Sequence, residues 1–263
     1  MLMTNLNTNT EFYGKRVIVT GASKGLGAAL CEALASRGAK IAMLSRSLNK
    51  MNNLKKKLKN SSNHISIKLD LLNNKQISLA INKARIFLKD VDIVVHVAGG
   101  GFGLKDTLIT HKDLNTLLQV NLIAASEINR LIVKKKNKKH KLKLIHVGSI
   151  ASNEAVGSVG YNVAKSALSS YVRSVGRELY KNNVIATGIL PGGFFATDNA
   201  MARFKIKNLK DYKKFIKKRL PRDKMGKVSE IIPMLLFLCL EDTSMMGGCM
   251  VPIDAGEGIA YQV

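Results

Sequence analysis

The chain has little cysteine and no long apolar segment. Its three cysteines, Cys31, Cys239 and Cys249, have no paired spacing in a sequence of 263 residues. That argues against a disulfide framework and a cysteine-based metal site, and indicates a reducing compartment. The longest apolar run, residues 231–240, contains Pro233 and is far shorter than the ~20 residues needed to span a bilayer. We predict no metal site and no membrane association.

A secretory signal is also lacking. Residues 1–12 are polar and rich in Asn and Thr, without a basic start or an apolar stretch. We therefore predict a loose tail over residues 1–12, a single domain over 13–263, and a cytoplasmic location. The full chain of 263 residues is 46% hydrophobic, enough to bury a sizeable core.

Acidic residues are scarce: the chain has 18 Asp and Glu but 42 Lys and Arg, which gives a formal charge of +24. Such a charge raises the possibility of a nucleic-acid partner. However, the basic clusters at residues 55–57, 134–143 and 213–224 are not interleaved with aromatics, and zinc-ligand spacing and a helix-turn-helix signature are missing. We predict solvated lysine-rich surfaces and no specific nucleic-acid binding.

Short β-branched runs alternate with longer helical patterns along the chain, as a parallel sheet covered on both faces requires. This predicts an α/β fold with a doubly wound, seven-stranded parallel sheet and helices on both faces. The predicted strands are Arg16–Thr20, Lys40–Ser45, Ile65–Leu69, Val91–Val97, Leu142–Val147, Val184–Leu190 and Met250–Ile253. The predicted helices are about Leu26–Ser36, Leu48–Leu58, Asn74–Leu88, Asp113–Val133, Gly160–Tyr180 and Ser229–Leu240.

Three glycines lie between the first strand and the first helix, in Thr20-Gly21-Ala22-Ser23-Lys24-Gly25-Leu26-Gly27. Glycine allows close backbone approach, and the helix N-terminus offers N–H groups to a pyrophosphate. A tight strand-to-helix turn alone explains such a run, but its place after the first strand favours dinucleotide binding.

Tyr161 and Lys165 lie four residues apart in a predicted helix. That spacing turns through about 400°, so the phenol and the ammonium project from one face. A fixed cation beside a phenol favours the phenolate and brings its pKa toward neutrality. An exposed pair on an ordinary amphipathic helix is the alternative.

The order Thr-Gly-x-x-x-Gly-x-Gly, Asn121, Ser149, Tyr161 and Lys165 resembles the short-chain dehydrogenases/reductases, over essentially all of the chain from Lys15. The resemblance implies a single-domain Rossmann-like fold, a homotetramer or homodimer, and hydride transfer between a nicotinamide cofactor and a carbonyl or secondary alcohol.

By the same resemblance, Tyr161 exchanges a proton with the substrate oxygen and Ser149 stabilises the developing charge on that oxygen. Lys165 lowers the phenol pKa and hydrogen-bonds the nicotinamide ribose, and Asn121 perturbs its helix and anchors a water. Surface solvation is the alternative for Asn121. The implied cofactor-binding residues are Gly21, Ser23, Lys24, Gly25, Leu26, Gly27, Arg46, Asp70, Leu71, Ala98, Gly99, Tyr161, Lys165, Pro191, Gly192 and Thr197.

The sequence departs from the family in two places. The family usually has Asn-Asn-Ala-Gly after the fourth strand, where this chain has His96-Val97-Ala98-Gly99. His96 either takes over part of the bracing by the amides or packs in the core, and packing is the favoured reading. Ser149 precedes Tyr161 by twelve residues, one fewer than in many relatives.

The choice of cofactor follows from the end of the second strand. About 20 residues after the first glycine, a carboxylate would accept from a ribose 2′-OH and repel a 2′-phosphate. The chain has Ser45-Arg46-Ser47 there. Arg46 can pair bidentately with a phosphate, and Lys24 adds a second cation, which predicts NADP(H).

Two further positions have open alternatives. Asp70 and Leu71 resemble the family's adenine-pocket pair, but Asp70 is equally explained as a helix cap. Thr197 is placed to reach the carboxamide, and a helix N-cap explains it as well.

A basic segment over about 194–224, with a helical part over Met201–Lys224, is predicted to cover the cleft as a lid. Its charge suits an anionic or carrier-bound substrate, unless it only reflects the lysine-rich composition. For Phe194 and Phe195, an apolar wall and core packing are the alternatives, with packing favoured for at least one. Glu154 is the nearest acidic candidate for substrate contact, although we expect it to be exposed.

The sequence thus predicts an NADP(H)-dependent oxidoreductase with a small-molecule carbonyl or alcohol substrate. A 3-oxoacyl-carrier-protein reductase is the alternative within this class, because a basic surface suits an acidic carrier. A non-catalytic NADP-binding scaffold or regulator is the alternative of another class.

Overall fold

The structure is a computed structural model that describes residues 10–137 and 139–260. Its main sheet has seven parallel strands in the order β3-β2-β1-β4-β5-β6-β9. They are β1 (Arg16–Thr20), β2 (Lys40–Ser45), β3 (His64–Lys68), β4 (Ile93–His96), β5 (Leu142–Val147), β6 (Val184–Pro191) and β9 (Met250–Ile253). The short strands β7 (Phe194–Phe195) and β8 (Gly226–Lys227) form a separate parallel pair.

Helices connect the strands and cover both faces of the sheet. They are α1 (Gly25–Ser36), α2 (Leu48–Lys57), α3 (Asn74–Leu88), α4 (His111–Leu118), α5 (Ala124–Val133), α6 (Val159–Glu178), α7 (Ala200–Lys207), α8 (Leu209–Arg219) and α9 (Val228–Cys239). Within the described ranges, none of the helices has both the length and the apolar character that crossing a bilayer requires.

Side chains that alternate along the strands build two separate cores. Val17 and Val19 of β1 face a core shared with α1, α2 and α9, whereas Ile18 between them faces a core shared with α3, α5 and α6. Because successive strand residues point to opposite faces, continuous apolar strands are what a sheet covered on both sides needs.

The predicted fold class is confirmed, and the predicted strands agree with the structure to within two residues at each end. The strand order reverses between β1 and β4. In open α/β sheets, ligands bind at the carboxyl ends of the strands beside such a reversal. The fold therefore directs attention to the residues that follow β1, β4, β5 and β6.

Two predictions about the chain need correction. The helix predicted over Asp113–Val133 is not continuous, since a π-helical segment, Gln119–Ile123, separates α4 from α5. The tail predicted over residues 1–12 extends too far: residues 1–9 lie outside the described residues, but Phe12 is 2% exposed and packs in a core. Its N–H donates to Arg37 O at 3.2 Å, which fixes the segment just before β1.

Candidate active site

The glycine-rich turn after β1 is packed too closely to admit side chains. A Cβ on Gly21 would lie 2.8 Å from Ala98 N, and one on Gly27 would lie 2.3 Å from Gly21 O. Gly21 also has a φ of 70°, in the left-handed region that favours glycine. Ser23 Oγ lies 2.8 Å from Ser45 Oγ, which joins this turn to the end of β2.

Helix α1 begins in this turn without a side-chain cap. Its N-cap residue, Lys24, makes no capping hydrogen bond, while Leu26 in the first turn is buried and anchors the helix. Uncapped N–H groups at a helix N-terminus attract anions, because they carry partial positive charge and lack intrahelical acceptors. The turn therefore fits a pyrophosphate group.

Lys165 lies on α6 and is only 4% exposed. Its ammonium donates to Val147 O at 2.9 Å, at the carboxyl end of β5, and lies 5.7 Å from the centroid of the Tyr161 ring. Burial lowers the pKa of Lys165 to about 8, because a charged ammonium loses its hydration there. The helix therefore brings the phenol and the ammonium together, as the i,i+4 spacing predicted.

The phenol pKa differs from the expectation. Burial raises the pKa of Tyr161, and a hydrogen bond with Ser149 opposes that rise without overcoming it. Desolvation of the phenolate is thus the larger effect, and the net pKa of Tyr161 lies above its ordinary value and not closer to neutrality. Ser149 nevertheless reaches Tyr161 across the short connecting loop.

Asn121 lies in the π-helical segment and is 3% exposed, so the surface alternative is excluded. Its Oδ1 accepts from Gly100 N at 3.0 Å, and its Nδ2 donates to Gly100 O and to Leu117 O at 3.0 and 2.9 Å. The side chain thus takes a carbonyl that the helix backbone would use, which accounts for the interrupted helix.

Asn121 also approaches Lys165. A Cβ on Gly99 would lie 2.7 Å from Asn121 Oδ1 and 3.3 Å from Lys165 Nζ, so the two side chains converge on the same point of the Ala98-Gly99 turn. The turn after β4, the π-helical segment and α6 therefore meet at one place.

The two predicted phosphate-binding cations differ in their surroundings. Arg46 follows β2, is exposed, and makes no hydrogen bond or ion pair with the described residues. Lys24 instead forms an ion pair with Asp198, which also pairs with Arg203 at 3.2 Å. Part of the charge expected from Lys24 is thus neutralised by the lid segment.

The structure shows whether Asp70 and Thr197 cap the helices that follow them. Asn73 caps α3 by accepting from Gln76 N, whereas Asp70 Oδ1 accepts from Leu72 N at 3.0 Å in the preceding turn. Asn199, and not Thr197, caps α7. The capping explanations for Asp70 and Thr197 are therefore wrong.

Other predicted cofactor residues lie around the same edge of the sheet. Leu71 O accepts from Gln119 Nε2 at 2.9 Å. Pro191 ends β6. The following Gly192 has no room for a side chain, since its Cβ would lie 2.6 Å from Glu257 Oε2. The Thr197 carbonyl lies 3.6 Å from the Cβ position of Gly25, so the chain after β7 lies against the glycine-rich turn.

Helices α7 and α8 occupy the segment predicted as a lid. Arg219 at the end of α8 pairs with Glu154 Oε2 at 3.2 Å, and Glu154 Oε1 accepts from Ile259 N at 2.7 Å. The prediction of an exposed Glu154 is wrong, because this side chain is 9% exposed. It ties the loop before Tyr161 to both the lid and the C-terminal segment.

Phe194 and Phe195 pack on different sides. Phe194 packs against the core shared with α1 and α9, as favoured for one of the two residues. Phe195 belongs to a small lid core, with its ring centroid 5.8 Å from that of Tyr212.

Sequence reasoning missed a buried polar group behind the site. His96 is 5% exposed, as a packed strand-end histidine should be, and its ring stacks on that of His146 with centroids 4.6 Å apart. The two histidines are paired in register on β4 and β5. Their common position at the ends of two strands was the available signal. In the described part of the chain, no cluster of three or more His, Cys, Asp or Glu side chains could hold a metal ion.

Known reductases are similar to this chain over most of its length. Over 249 residues, 94% of this chain and 98% of the relative, it is 27% identical to 3-oxoacyl-[acyl-carrier-protein] reductase FabG of Salmonella typhimurium. It is 25% identical over 252 residues to the corresponding reductase MabA of Mycobacterium avium, covering 95% and 92% of the two chains.

Among solved structures, a 7α-hydroxysteroid dehydrogenase complexed with NADH superposes with a TM-score of 0.87 at 23% identity, covering 98% and 99% of the chains. L-Sorbose reductase from Gluconobacter frateurii, complexed with NADPH and L-sorbose, gives 0.85 at 22% identity, covering 95% and 98%. At this identity the likeness establishes the fold. The short chain dehydrogenase family model matches residues 15–208, and the chain therefore belongs to this family of oxidoreductases.

Proposed function

We propose that the protein is an NADP(H)-dependent oxidoreductase that transfers hydride between a nicotinamide and a carbonyl or secondary alcohol substrate, with Tyr161 as general acid/base. The observation that carries this proposal is the meeting of Tyr161, Ser149 and Lys165 beside the turn after β4, which packs against Gly21 of the glycine-rich turn. The substrate is a small molecule, and the basic lid favours an anionic or carrier-bound one.

The residues at the sheet edge fit a nicotinamide dinucleotide. The close packing at Gly21 and Gly27 allows a pyrophosphate to approach the backbone, and the uncapped N-terminus of α1 supplies N–H donors. Ala98, Gly99, Pro191, Gly192 and Thr197 would hold the ribose and nicotinamide end. When bound, the cofactor supplies the hydride, and the protein supplies position and electrostatics.

The raised phenol pKa suits Tyr161 to donate a proton during carbonyl reduction. At neutral pH the phenol keeps its proton, and its hydrogen bond with Ser149 holds the two hydroxyls close enough to share one substrate oxygen. Below pH about 8, Lys165 is charged and favours the phenolate that remains after transfer. Asn121 holds the Gly100 backbone beside this pair.

The test is a screen of keto-sugars, keto-acyl thioesters and steroids with NADPH, for wild type and Tyr161→Phe. We expect the variant to lose ~10²–10⁴-fold in kcat, because the proton donor is gone. NADPH affinity should stay nearly unchanged, and the exposed tyrosine variant Tyr180→Phe should behave as wild type. Full turnover by Tyr161→Phe would refute the acid role. Tight NADPH binding without oxidation over the whole screen would favour the non-catalytic scaffold.

The NADP(H) preference is proposed from Arg46, which is exposed at the end of β2 and has no ion pair among the residues that the structure describes. Arg46→Asp should shift kcat/KM toward NADH by about 10-fold or more, since a carboxylate repels a 2′-phosphate and accepts from a 2′-OH. Lys50→Asp, with the same change of charge on the exposed side of α2, is the control. Equal selectivity of Arg46→Asp and wild type would defeat this assignment.

A 3-oxoacyl-carrier-protein reductase is the second candidate. It is supported by the names of the relatives and by α8, whose exposed lysines are Lys210, Lys213, Lys214, Lys217 and Lys218. An acidic carrier would be attracted to this helix. The expected result is a higher kcat/KM for a 3-oxoacyl group on carrier protein than on a short thiol, with a strong salt dependence. Equal values would remove this candidate.

A homodimer or homotetramer is also proposed. Val159 and Val163 on α6, and Ile123 beside it, are apolar yet 44%, 44% and 45% exposed. An apolar surface of this kind is commonly covered by a second subunit. Light scattering that gives a monomer mass at micromolar concentration would contradict this.

A further inference from the structure

Three buried side chains and the partly buried Tyr171 form a hydrogen-bonded group behind the site. Asn129 on α5 lies between two histidines, with its Oδ1 2.8 Å from His96 Nε2 and its Nδ2 3.3 Å from His146 Nε2. Asn129 Nδ2 also donates to Tyr171 Oη at 3.1 Å. The group thus joins β4, β5, α5 and α6.

This arrangement leaves one polar atom without a partner. With the assigned amide orientation, Asn129 donates to His146 Nε2, so the proton of neutral His146 is on Nδ1. His146 is fully buried, and its Nδ1 has no hydrogen-bond partner among residues 10–137 and 139–260. The reverse amide orientation would turn Nδ1 into an acceptor, which would also lack a partner. A buried polar atom without a hydrogen-bond partner needs an explanation, because native structures seldom contain such an atom.

A small cavity adjoins the same histidine. Its volume is about 10 Å³, the room needed for one water molecule. Four polar side chains line it, together with apolar residues that include Ala125 and Leu168. The four are Thr20, His96, Asn121 and His146. A buried water normally makes about three hydrogen bonds, and this wall supplies enough polar groups for them.

We propose that this cavity binds one structural water through His146 Nδ1, and that His146 is a positioning residue for Lys165 and Ser149. The second part rests on the proposed function. The water links the ends of β1, β4 and β5 to the π-helical segment that carries Asn121.

The route from His146 to the reacting groups is short. The next residue, Val147, lines the cavity and accepts from Lys165 Nζ, and Ser149 follows two residues later. The titratable and charged groups facing His146 are His96 on β4, and Lys165 and Tyr171 on α6. Burial lowers the pKa of His96 to about 4 and that of His146 well below its usual range, so both rings are neutral at pH 7.

A crystal structure of the full chain tests the water site without reference to activity. We expect electron density for one water within hydrogen-bond distance of His146 Nδ1. An empty cavity, or a side chain turned to fill it, overturns the proposal. Because this measurement needs no turnover, it remains decisive even if the oxidoreductase assignment fails.

Kinetic variants test the positioning role. His146→Phe removes the donor and keeps a ring, so we expect kcat to fall about 10-fold with NADPH affinity unchanged. The basic limb of the kcat–pH profile should move to lower pH, since the Val147 carbonyl that accepts from the Lys165 ammonium is then held less firmly. His146→Gln, which restores an N–H donor, should recover most of kcat and the wild-type profile. Ala125→Val should expel the water with His146 intact, and so should reproduce the effect of His146→Phe.

Tyr171→Phe is the matched control, because it alters the same hydrogen-bonded group on the side away from the cavity. It should leave kcat and the pH profile unchanged. If Tyr171→Phe has the same effect as His146→Phe, or if His146→Gln fails to recover the profile while it folds and binds NADPH, His146 has only a structural role and the positioning proposal is wrong.

Discussion

Strand β5 has a buried lysine ammonium near each of its ends. At the start of the strand, Lys143 is 3% exposed and donates to Thr243 Oγ1. At the carboxyl end, Lys165 of α6 is 4% exposed and donates to the carbonyl of Val147. Burial lowers the pKa of each to about 8.

A perturbed pKa does not by itself identify a functional lysine. Lys143 lies among Thr243, Cys239 and the core shared with α9, and the residues described around it offer no reactive partner. Lys165 lies beside Tyr161 at the edge where ligands bind in such sheets. Position on the sheet and a neighbouring phenol, rather than the size of the shift, distinguish the two.

The largest expected difference between the two ends of β5 is the effect that replacing each lysine has on turnover. Lys165→Met should lower kcat by ~10²-fold or more, because the cation that favours the phenolate is removed. Lys143→Met should leave kcat within a factor of two or so, since replacing a distant buried charge by an apolar side chain is often tolerated. Steady-state NADPH oxidation measures both. A comparable loss in the two variants would show that the ends of β5 do not differ in function.

The next prediction concerns the stability that the contact between Lys143 and Thr243 provides at the start of β5. Thr243→Val keeps the shape of the side chain and removes the hydroxyl that accepts from Lys143. We expect it to lower the free energy of unfolding by about 1–3 kcal/mol, the usual cost of leaving a buried polar group unpaired. Urea denaturation measures this change.

A double-mutant cycle provides the control for that effect. In a Lys143→Met background the ammonium is absent, so Thr243→Val should cost much less than in wild type. An equal cost in both backgrounds would mean that Thr243 acts through its own bonds to the Leu238 and Leu240 carbonyls, at 3.1 and 2.9 Å.

The two lysines also mark what could be predicted from sequence. The fold class was predictable, because apolar runs and glycine turns are local signals that fix strands and helices. Tyr161, Lys165 and Ser149 were identifiable from their spacing and from the family resemblance. Lys143 was not identified, since a lysine within a strand gives no sign of whether it is buried.

Other features depend on contacts between distant segments and were not predictable. Asn121 bonds from the π-helical segment to Gly100, and Lys24 forms an ion pair with Asp198 on the lid. Glu154 was expected to be exposed, but Arg219 and Ile259, remote in sequence, cover it. The pKa of the Tyr161 phenol is raised and not lowered, because burial outweighs the hydrogen bond with Ser149.

The last prediction concerns the contribution of Lys143 to the pH dependence of stability. An unfolded lysine has a pKa near 10.4, so between about pH 8 and that value the unfolded state holds a proton that the folded state has lost. Stability therefore rises with pH in this window, by up to about 1.4 kcal/mol per pH unit for one lysine. Below about pH 8 both states are protonated and the contribution is constant.

Buried thiols oppose this slope in the intact protein. Burial raises the pKa of Cys31, and raises that of Cys239 to about 12, so the unfolded state loses thiol protons first and stability falls as pH rises. The informative quantity is thus the difference between wild type and Lys143→Met, in which the thiol contributions largely cancel. This difference should rise in favour of wild type between pH 8 and 10. Parallel stability curves over that range would mean that the Lys143 ammonium is hydrated in the folded state, and that only the carboxyl end of β5 holds a desolvated lysine.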